Sequence, residues 1–334
     1  MKYAIIAATA ILLGVALYAG IHQAHQAEIP QEVRAQFQKW KVSQNRLYGS
    51  PSEDHYRLSI FHKNLRMIEA HNAQAHSYTL GINQFADMTK EEFLAKYSGG
   101  PFVPPQEPTE YTELSLKRLP ASRDWSQKGV VTPIKNQGRC GSCWSFSTTG
   151  AIEGLKAIRG HGLTSLSEQQ LIDCTRGSYM NHGCSGGVPL KAMMYVINKG
   201  GIETESAYPY QGKVEPCRAK LSKFVYKIKG VGRAKPLDND GLKAAVANQP
   251  VSVIIDCHSI MFYKGGIINQ GCGQALNHAV LAVGYGTSGK TPYWKVKNSW
   301  GAKWGEKGYM RILRKSGKGK TPCGINIFIS WPTA

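Results

Sequence analysis

The sequence predicts an α+β fold that forms two lobes with a cleft between them. Residues 143–200 have the apolar spacing typical of helices, interrupted by glycines. Residues 224–331 instead contain short apolar runs that predict strands, at 224–228, 251–256, 279–285, 293–298 and 309–313. A chain in which helices come first and strands follow indicates an α+β arrangement. We therefore expect a ligand site in the cleft between the two lobes.

A change in charge near residue 118 divides the 334-residue chain, whose net charge is +19, into two parts. Residues 1–118 carry 12 basic and 11 acidic side chains, whereas residues 119–334 carry 29 basic against 11 acidic, a balance of +18. A strongly basic part is compatible with polyanion binding. No RNP, KH or helix-turn-helix pattern accompanies the charge, so we expect no specific nucleic-acid partner.

Residues 1–19 have the pattern of a secretory signal peptide. A basic start, Met1-Lys2-Tyr3, precedes an apolar run that ends in small residues. The run is shorter than the roughly 20 residues of a typical membrane-spanning helix, although an uncleaved anchor stays an alternative. Eight cysteines are many for a cytosolic chain. We therefore expect the secretory pathway, with the lysosome, the vacuole or the outside of the cell as destination.

The part before residue 118 is expected to be mostly helical up to residue 98, with a linker after it. One amphipathic stretch begins at Phe37, Trp40 and Lys41. A second runs over residues 53–72 and repeats at intervals of three and four along one helix face, at Glu53, Arg57, Phe61, Asn64, Ile68 and Asn72. The alternation at Gly81, Asn83, Phe85 and Asp87 suits a strand. Residues 99–116 are rich in proline, glycine and glutamate and predict a linker open to proteolytic cleavage.

The stretch from Gln137 to Phe146 predicts a reactive cysteine. It is a glycine-rich turn leading into a helix, with Ser142 as a suitable N-cap and Cys143 in the first turn. A thiol at a helix N-terminus meets backbone N–H groups and the positive end of the helix dipole. Both favour the thiolate, which is the nucleophilic form.

Two other interpretations of Cys140 and Cys143 stay open on this stretch alone. Both side chains could lie in structural disulfides, or together they could form a C-x-x-C redox pair or half of a zinc site. A zinc site of the C-x2-C type needs a second such pair, and the sequence has none. A redox pair needs a βαβ context, and none precedes the stretch.

The same stretch, Gln137-Gly-Arg-Cys-Gly-Ser-Cys-Trp-Ser-Phe, resembles the active-site segment of papain-like cysteine peptidases, with the signature C-G-[SA]-C-[WY]. Residues 53–72 resemble the long propeptide helix of the cathepsin L-like group, and residues 81–87 its second propeptide motif. Residues 119–125, Leu-Pro-x4-Trp, resemble the start of the mature enzyme. The resemblance covers nearly the whole chain.

The resemblance implies a domain order and a papain-like fold. It implies a signal peptide at residues 1–19, an inhibitory propeptide with linker at residues 20–118 and a mature peptidase domain at residues 119–334. The mature domain would have a helical L lobe and a β-barrel R lobe. The segment after the propeptide helices would cross the cleft in the non-productive direction.

Three further groups that a cysteine nucleophile needs are implied by the resemblance. His278, in Leu-Asn-His-Ala-Val, matches the family's histidine motif and would act as the base. Asn298, in Lys-Asn-Ser-Trp-Gly, would orient that imidazole, and Trp300 would shield their hydrogen bond from water. The side-chain amide of Gln137 and the backbone N–H of Cys143 would stabilise the oxyanion of the tetrahedral intermediate.

The resemblance also implies the disulfides and the residues that contact substrate. The pairs would be Cys140 with Cys184, Cys174 with Cys217, and Cys272 with Cys323. Cys143 would stay reduced, and Cys257 would be a small buried apolar residue. The implied substrate contacts are Gly141, Gly186, Gly187, Val188, Pro189, Ile254, Leu276, Asn277, Ala279, Trp300 and Phe328.

The implied pocket for the residue two before the scissile bond, P2, is apolar throughout. A basic P2 side chain would be desolvated there without a partner. Phe328 at the pocket floor makes the pocket shallow, so we expect Val or Leu to be preferred over Phe. Cleavage just before Leu119 would place Lys117 at P2, which this pocket disfavours. We therefore expect self-processing to give a mature chain that starts at Leu116 or Arg118.

The sequence thus predicts a cysteine endopeptidase, made as an inactive zymogen, that hydrolyses peptide bonds through a thioester acyl-enzyme. It should need no cofactor or metal and act as a monomer on polypeptide substrates, with its own propeptide as intramolecular inhibitor and cystatin-type proteins as further inhibitors. The alternatives are a catalytically silent papain-like binding protein and a thiol–disulfide oxidoreductase that uses Cys140 and Cys143.

Overall fold

The computed structural model describes residues 29–102 and 110–334. The signal peptide expected at residues 1–19 and part of the expected linker lie outside the described residues. The chain divides into two compact units, one up to Asn64 and one from Leu65 to the C-terminus. Within the described ranges, no helix is long and apolar enough to cross a membrane.

The first unit consists of helix α1, Gln31–Ser43, and most of helix α2, Pro51–Asn72. Three buried aromatic side chains join the two helices, because the rings of Phe37 and Trp40 lie 5.3 Å and 5.5 Å from that of Phe61. Lys41 pairs with Asp54 across the helices. Both amphipathic helices predicted from the sequence are therefore confirmed.

Strand β1, Tyr78–Leu80, and helix α3, Lys90–Tyr97, follow, but the strand predicted over residues 81–87 is wrong. The segment is a turn that the Asn83 side chain holds together. Its Oδ1 accepts the Phe85 N–H at 2.9 Å, and its Nδ2 donates to the Met261 carbonyl at 2.8 Å. Residues spaced at intervals of two thus stand in a capped turn, which a period of two in the sequence does not distinguish from a strand.

The helical prediction for residues 143–200 is confirmed by three helices: α4, Cys143–Ile158; α5, Glu168–Cys174; and α6, Pro189–Lys199. Helix α4 is the central one, since its side chains from Cys143 to Lys156 are buried. Two glycines let it lie close to the sheet. A Cβ at Gly150 would come within 2.8 Å of Leu281, and one at Gly154 within 2.6 Å of Pro250. Short 3-10 turns lie at Trp125–Gln127, Gly177–Tyr179, Gly183–Ser185, Leu221–Lys223 and Pro322–Gly324.

Nine strands of the described chain form the sheet, in the order β1-β5-β8-β7-β6-β4-β9-β3, with β2 paired to β6. After β1 they are β2, Arg123–Asp124; β3, Gly230–Arg233; β4, Val251–Ile255; β5, Tyr263–Ile268; β6, His278–Ser288; β7, Thr291–Lys297; β8, Tyr309–Leu313; and β9, Phe328–Thr333. Strands β5 and β8 are parallel, and the other pairs are antiparallel. Four of the five predicted strands are confirmed as β4, β6, β7 and β8.

The strand predicted at 224–228 is wrong, and one helix was missed. Tyr226 forms only an isolated bridge to Ile202, so the segment has no neighbouring strand to extend it. Residues inside the region read as strands form helix α7, Asn239–Asn248. The side chain of Asp238 caps it by accepting the Gly241 N–H at 2.9 Å. Its alanine-rich sequence hides the helical period, because alanine fits both patterns.

The strand register brings the candidate site residues to one end of the sheet. Ile255 of β4 pairs with His278 of β6, and Ile254 pairs with both Ala279 of β6 and Phe328 of β9. The start of β6 therefore lies beside the strands that carry the apolar residues expected in the P2 pocket.

Candidate active site

The sulfur of Cys143 lies where helix α4 meets the start of strand β6. Cys143 is the first residue of α4, with Ser142 at the N-cap. Its Sγ accepts the backbone N–H of Ala279 at 3.4 Å, which places it next to His278, the residue before Ala279. The N-terminus of the helix and the beginning of the strand thus bring together the two residues that the sequence placed far apart.

The loop before the nucleophile is fixed by a disulfide and by close backbone packing. Cys140 is bonded to Cys184, and the Gly141 N–H donates to the Cys184 carbonyl at 2.9 Å. A Cβ at Gly141 would lie 2.5 Å from that carbonyl oxygen and 2.6 Å from the Ser98 oxygen, so only glycine fits. Because Cys140 is already paired, Cys140 and Cys143 do not form a redox couple in this structure.

The imidazole of His278 is oriented by Asn298 and covered by Trp300. Nε2 of His278 lies 2.8 Å from Oδ1 of Asn298. That oxygen also accepts the Ser299 N–H at 2.8 Å, which fixes it as the acceptor, so Nε2 carries the proton and Nδ1 is the basic nitrogen. The Trp300 ring stacks on the imidazole at 4.5 Å. Nδ1 is buried and has no hydrogen-bond partner in the described part of the chain.

Gln137 is buried beside the nucleophile, and its amide is held in one orientation. Its Oε1 accepts from the Ser299 hydroxyl at 2.7 Å. Its Nε2 donates to the carbonyls of Cys140, at 2.9 Å, and Tyr97, at 3.2 Å. The donor expected to serve an oxyanion is therefore occupied here by a carbonyl of the residue that ends helix α3.

Residues 98–102, which we call the cleft segment, pass directly over the nucleophile. The Gly99 N–H donates to the Asn277 carbonyl at 2.7 Å, and the Phe102 N–H to the Leu276 carbonyl at 2.9 Å. A Cβ at Gly99 would lie 3.1 Å from the sulfur of Cys143, so the backbone approaches as closely as a glycine allows. The sulfur is thereby removed from solvent.

Burial of the site opposes the ionisation that the helix N-terminus alone would favour. Burial raises the pKa of the Cys143 thiol to about 11, against the opposing effect of the Ala279 N–H and other backbone donors. Burial also lowers the pKa of His278 to about 4, although the Asn298 hydrogen bond acts in the other direction. In the covered form, burial therefore favours the neutral thiol and opposes the thiolate expected from the helix N-terminus. Thiol and imidazole are both neutral at pH 7.

Several of the expected substrate contacts line a cavity beside the cleft segment. A cavity of about 250 Å³ is lined by Cys143, Gly186, Gly187, Val188, Ile254, Asn277, His278 and Ala279, among others. Leu276 and Phe328 belong to the adjoining apolar core, and Pro189 is buried at the start of α6. Trp300 lies over the imidazole instead. A Cβ at Gly186 would lie 2.0 Å from the Gly99 oxygen, which explains why glycine stands where another backbone approaches.

The structure contains the three disulfides that the resemblance implied: Cys140–Cys184, Cys174–Cys217 and Cys272–Cys323. Cys143 and Cys257 are the free cysteines of the described chain, and both are buried. The Cys257 N–H donates to Oδ1 of Asn277 at 2.9 Å, which places this second thiol near the cleft. Burial raises its pKa well above the usual value.

Sequence reasoning missed three side chains that support or adjoin the site. The Tyr210 hydroxyl donates to the Gln137 carbonyl at 2.6 Å and meets Oγ of Ser142 at 2.8 Å. Ser299 holds Gln137, as described above. Arg233 lies over the ring of Phe328 at 5.3 Å. No local sequence pattern predicts any of these three side chains, because each reaches the site through tertiary packing. No group of three or more His, Cys, Asp or Glu able to hold a metal lies in the described ranges.

Comparison with known proteins gives two family matches and many relatives. Residues 119–333 match the papain family cysteine protease domain, and residues 37–93 match the cathepsin propeptide inhibitor domain. The chain is 44% identical to caricain of Carica papaya, over 89% of this chain and 86% of that one. It is 43% identical to chymopapain of the same plant, over 86% of this chain and 83% of that one.

Solved precursor structures resemble the described chain over almost its full length. A recombinant stem bromelain precursor matches with a TM-score of 0.84 and 38% identity, over 91% of this chain and 99% of that one. A digestive procathepsin L 3 from larvae of Tenebrio molitor matches with a TM-score of 0.83 and 42% identity, over 91% of this chain and all of the other. These matches confirm the expected papain-like α+β fold preceded by a propeptide.

Acid should destabilise the covered form through His278. A group whose pKa is lowered by folding contributes stability above its unfolded value, near 6.5, and loses that contribution as pH falls through the folded value, about 4. Between pH 7 and pH 4.5 the loss should be about 2–3 kcal/mol in a full-length Cys143→Ser precursor. Urea unfolding at both pH values measures it.

The matched control for this measurement is Cys143→Ser combined with His278→Gln, which removes the titrating imidazole and leaves every other acidic and basic group in place. The difference in acid sensitivity between the two proteins isolates His278. Equal acid sensitivity would show that burial does not hold this imidazole neutral.

Proposed function

Because the chain belongs to the papain family of cysteine proteases and carries the cathepsin propeptide inhibitor domain, we propose that it is a cysteine endopeptidase working through a thioester acyl-enzyme. It is a zymogen of this family. The observation that carries the proposal is the meeting of the Cys143 sulfur with the start of β6, where His278 presents an unpartnered Nδ1.

In acylation, Cys143 is the nucleophile and His278 the base. Nδ1 of His278 takes the thiol proton, and Sγ attacks the carbonyl carbon of the scissile peptide to form a tetrahedral intermediate. The C–N bond then breaks, and the imidazolium returns its proton to the departing amine. An acyl group remains on sulfur as a thioester.

Deacylation reuses the same base. Nδ1 of His278 takes a proton from water, and the hydroxyl oxygen attacks the thioester carbon to form a second tetrahedral intermediate. The C–S bond then breaks to release the carboxylic acid, and the imidazolium returns its proton to the departing sulfur, which restores the thiol and the neutral base. Asn298 positions the imidazole in both halves through Nε2, so Nδ1 keeps facing the reacting atoms. Trp300 excludes water from that hydrogen bond.

The oxyanion of both intermediates is stabilised by Gln137 and the Cys143 N–H. Support comes from the way the amide of Gln137 is held, because Ser299 fixes its oxygen and leaves Nε2 as the outward donor. In the precursor that donor binds the Tyr97 carbonyl. Withdrawal of the propeptide frees the donor without any need to reorient it, which is the preorganisation that oxyanion stabilisation requires.

The propeptide inhibits by running through the cleft in the direction opposite to a substrate. Tyr97 binds at Gln137 and Trp300, Gly99 covers Cys143, and Phe102 ends against Phe328. A substrate places its P2 side chain in the Phe328 pocket and its later residues toward Trp300. The reversed course presents no peptide carbonyl to the sulfur in the geometry needed for attack.

The P2 pocket is proposed to be apolar and shallow, with Val or Leu preferred over Phe. Phe328 is buried at its floor beside Ile254 and Leu276. Phe102 of the cleft segment meets Phe328 edge to face, with ring centroids 4.7 Å apart, yet Phe102 stays partly exposed. The pocket beside Phe328 therefore does not fully bury the phenyl ring of Phe102. This supports a pocket whose size suits side chains smaller than Phe.

The remaining proposals concern place and partners. Disulfide-bonded papain-like precursors are typical of the secretory pathway, and the proposal is delivery to a lysosome or vacuole or to the outside of the cell, after removal of residues 1–19. The protease is proposed to act as a monomer and to be inhibited by cystatin-type proteins. A catalytically silent binding protein is the rival, and the intact set of Gln137, Cys143, His278 and Asn298 argues against it.

Active-site labelling tests the catalytic assignment. Acid-processed protein should react covalently with a biotinylated epoxysuccinyl peptide, and Cys143→Ala should abolish labelling because the nucleophile is gone. Cys257→Ser is the matched control, since it removes the other free buried thiol and should leave labelling intact. Asn298→Ala should lower kcat by about tenfold to a hundredfold through a misoriented base. Labelling that survives Cys143→Ala would contradict the assignment.

A fluorogenic peptide panel that varies only P2 tests the pocket. Val and Leu should give kcat/KM about tenfold above Phe, the scale of one or two misfit carbons, and Arg should be cleaved least. Phe328→Ala deepens the floor and should raise the relative rate for Phe. A wild-type preference for Phe or Arg would refute the proposed pocket.

Self-processing gives a separate test of the same rule. Cleavage after Ser115 or Lys117 places Leu114 or Leu116 at P2, so the mature chain should start at Leu116 or Arg118. Sequencing of the N-terminus after acid activation reads this directly. A start at Leu119 would place Lys117 at P2 and indicate a different processing enzyme.

A further inference from the structure

The outer edge of strand β3 is the end of the sheet, and a piece of the linker lies on it. Strand β3 pairs with β9 on one side and is the last strand in the sheet order. On its other side, the Thr112 N–H donates to the Arg233 carbonyl at 2.8 Å, and the Arg233 N–H donates to Oγ1 of Thr112 at 3.2 Å. The linker therefore bonds to the free sheet edge at Arg233, once through its backbone and once through the Thr112 hydroxyl.

The side chain of Arg233 is unusual for a cation. It is 8% exposed, and its Nε and Nη1 are buried with no hydrogen-bond partner in the described part of the chain. No described carboxylate forms a salt bridge with it. Its guanidinium instead lies between two aromatic rings, 5.3 Å from the centroid of Phe328 and 5.5 Å from that of Tyr111.

Tyr111 is the part of the linker that closes this arrangement. It covers the guanidinium from outside and is itself 38% exposed, so its ring forms a lid rather than part of the core. Backbone pairing at Thr112 and ring contact at Tyr111 are the two elements of strand addition with a side-chain pocket. Neither contact involves the nucleophile or the cleft segment.

We propose that the outer edge of β3, with Arg233, is a peptide-binding site of the processed protease, which the linker fills in the precursor. It takes an extended polypeptide segment that carries an aromatic residue, followed by a residue with a free backbone N–H. The inference rests on the proposed function in one respect, namely that processing removes residues 110–115, with Tyr111 and Thr112, and opens the edge. It adds a substrate contact outside the catalytic cleft.

Charge indicates which aromatic segments bind best. The linker sequence on the site is Glu110-Tyr111-Thr112-Glu113, with an acidic residue on each side of the contact pair. Exposed Lys229 and Lys235 stand on either side of β3 in the chain. A buried guanidinium without a carboxylate partner also favours an acidic ligand and disfavours a basic one. The expected ligand class is an acidic, tyrosine-containing extended segment of a substrate.

The test uses the full-length chain with Cys143→Ser, so that no catalysis takes place. In the opened version, Tyr111→Ala and Thr112→Pro remove the ring and the N–H that hold the linker. A fluorescein-labelled peptide of residues 110–116 is then titrated and followed by anisotropy. The opened protein should bind it at least about tenfold more tightly than the closed one, because the tethered linker no longer competes at high effective concentration.

Two further changes assign the binding to Arg233. Adding Arg233→Met to the opened protein should weaken binding about fivefold or more, the scale of a partly desolvated cation–π contact. Lys264→Met is the matched control, since it removes an exposed cation on β5, near the other end of the sheet order from β3, and should change binding less than about twofold. A peptide with Ala in place of its tyrosine should bind the opened protein as weakly as Arg233→Met binds the original peptide.

The peptide-side change keeps the test decisive even if Arg233→Met fails to fold. Opened and closed proteins that bind equally, or equal binding of the tyrosine and alanine peptides, would overturn the proposed site. Because the nucleophile is absent throughout, neither result depends on whether the catalytic assignment is right.

Discussion

The contact between the sulfur of Cys143 and the backbone of Ala279 is the point on which the rest of this structure depends. It joins the first residue of the central helix to the second residue of the longest strand, β6. Gly150 and Gly154 let that helix approach the sheet, and the Cys140–Cys184 disulfide fixes the loop that feeds it. Asn298, Trp300 and Gln137 are then arranged around a sulfur whose position is already set.

The covering of this sulfur explains how the precursor can hold an assembled active site that does not cleave peptides. All the groups that the proposed chemistry needs are in place in the precursor, so inhibition does not come from a disordered site. The backbone at Gly99 lies close over the sulfur, and burial of the site raises the pKa of the Cys143 thiol and lowers that of His278. Glycine at this position is what permits that approach, because a Cβ would meet the sulfur at 3.1 Å.

The linker contributes beyond the cleft as well. The cleft segment ends with the ring of Phe102 against that of Phe328. Further along the linker, the ring of Tyr111 contacts the Arg233 guanidinium, which also lies over the Phe328 ring. Phe328 thus lies between the P2 pocket and the sheet edge. Removal of one stretch of chain would uncover the nucleophile, the pocket and the edge of β3 together.

Much of this architecture could be predicted from the sequence, and the limits have physical reasons. Strands such as Tyr309–Leu313 and helix α4 carry their periodicity locally, and the segment around Cys143 carries a specific motif. The segment at residues 81–87 is a turn although its motif residues stand at intervals of two, because the Asn83 side chain bonds the backbone locally and to Met261. Helix α7 was missed because alanine does not reveal a period.

Two features of the site could not be read from local sequence at all. The neutral state of Cys143 depends on a segment that folds back from residues 98–102, so the helix N-terminus alone gave the opposite expectation. Arg233 reaches Phe328 only through the pairing of β3 with β9. Both are consequences of tertiary packing, which sequence spacing does not encode.

The most direct measurement of the central claim is the pH dependence of Cys143 alkylation by iodoacetamide, read by mass spectrometry of the peptide that contains it, in the precursor and in the processed protein. The account predicts slow alkylation of the precursor at pH 6 that rises only as pH approaches about 11, and fast alkylation of the processed protein already at pH 6. Identical profiles for the two forms would contradict it.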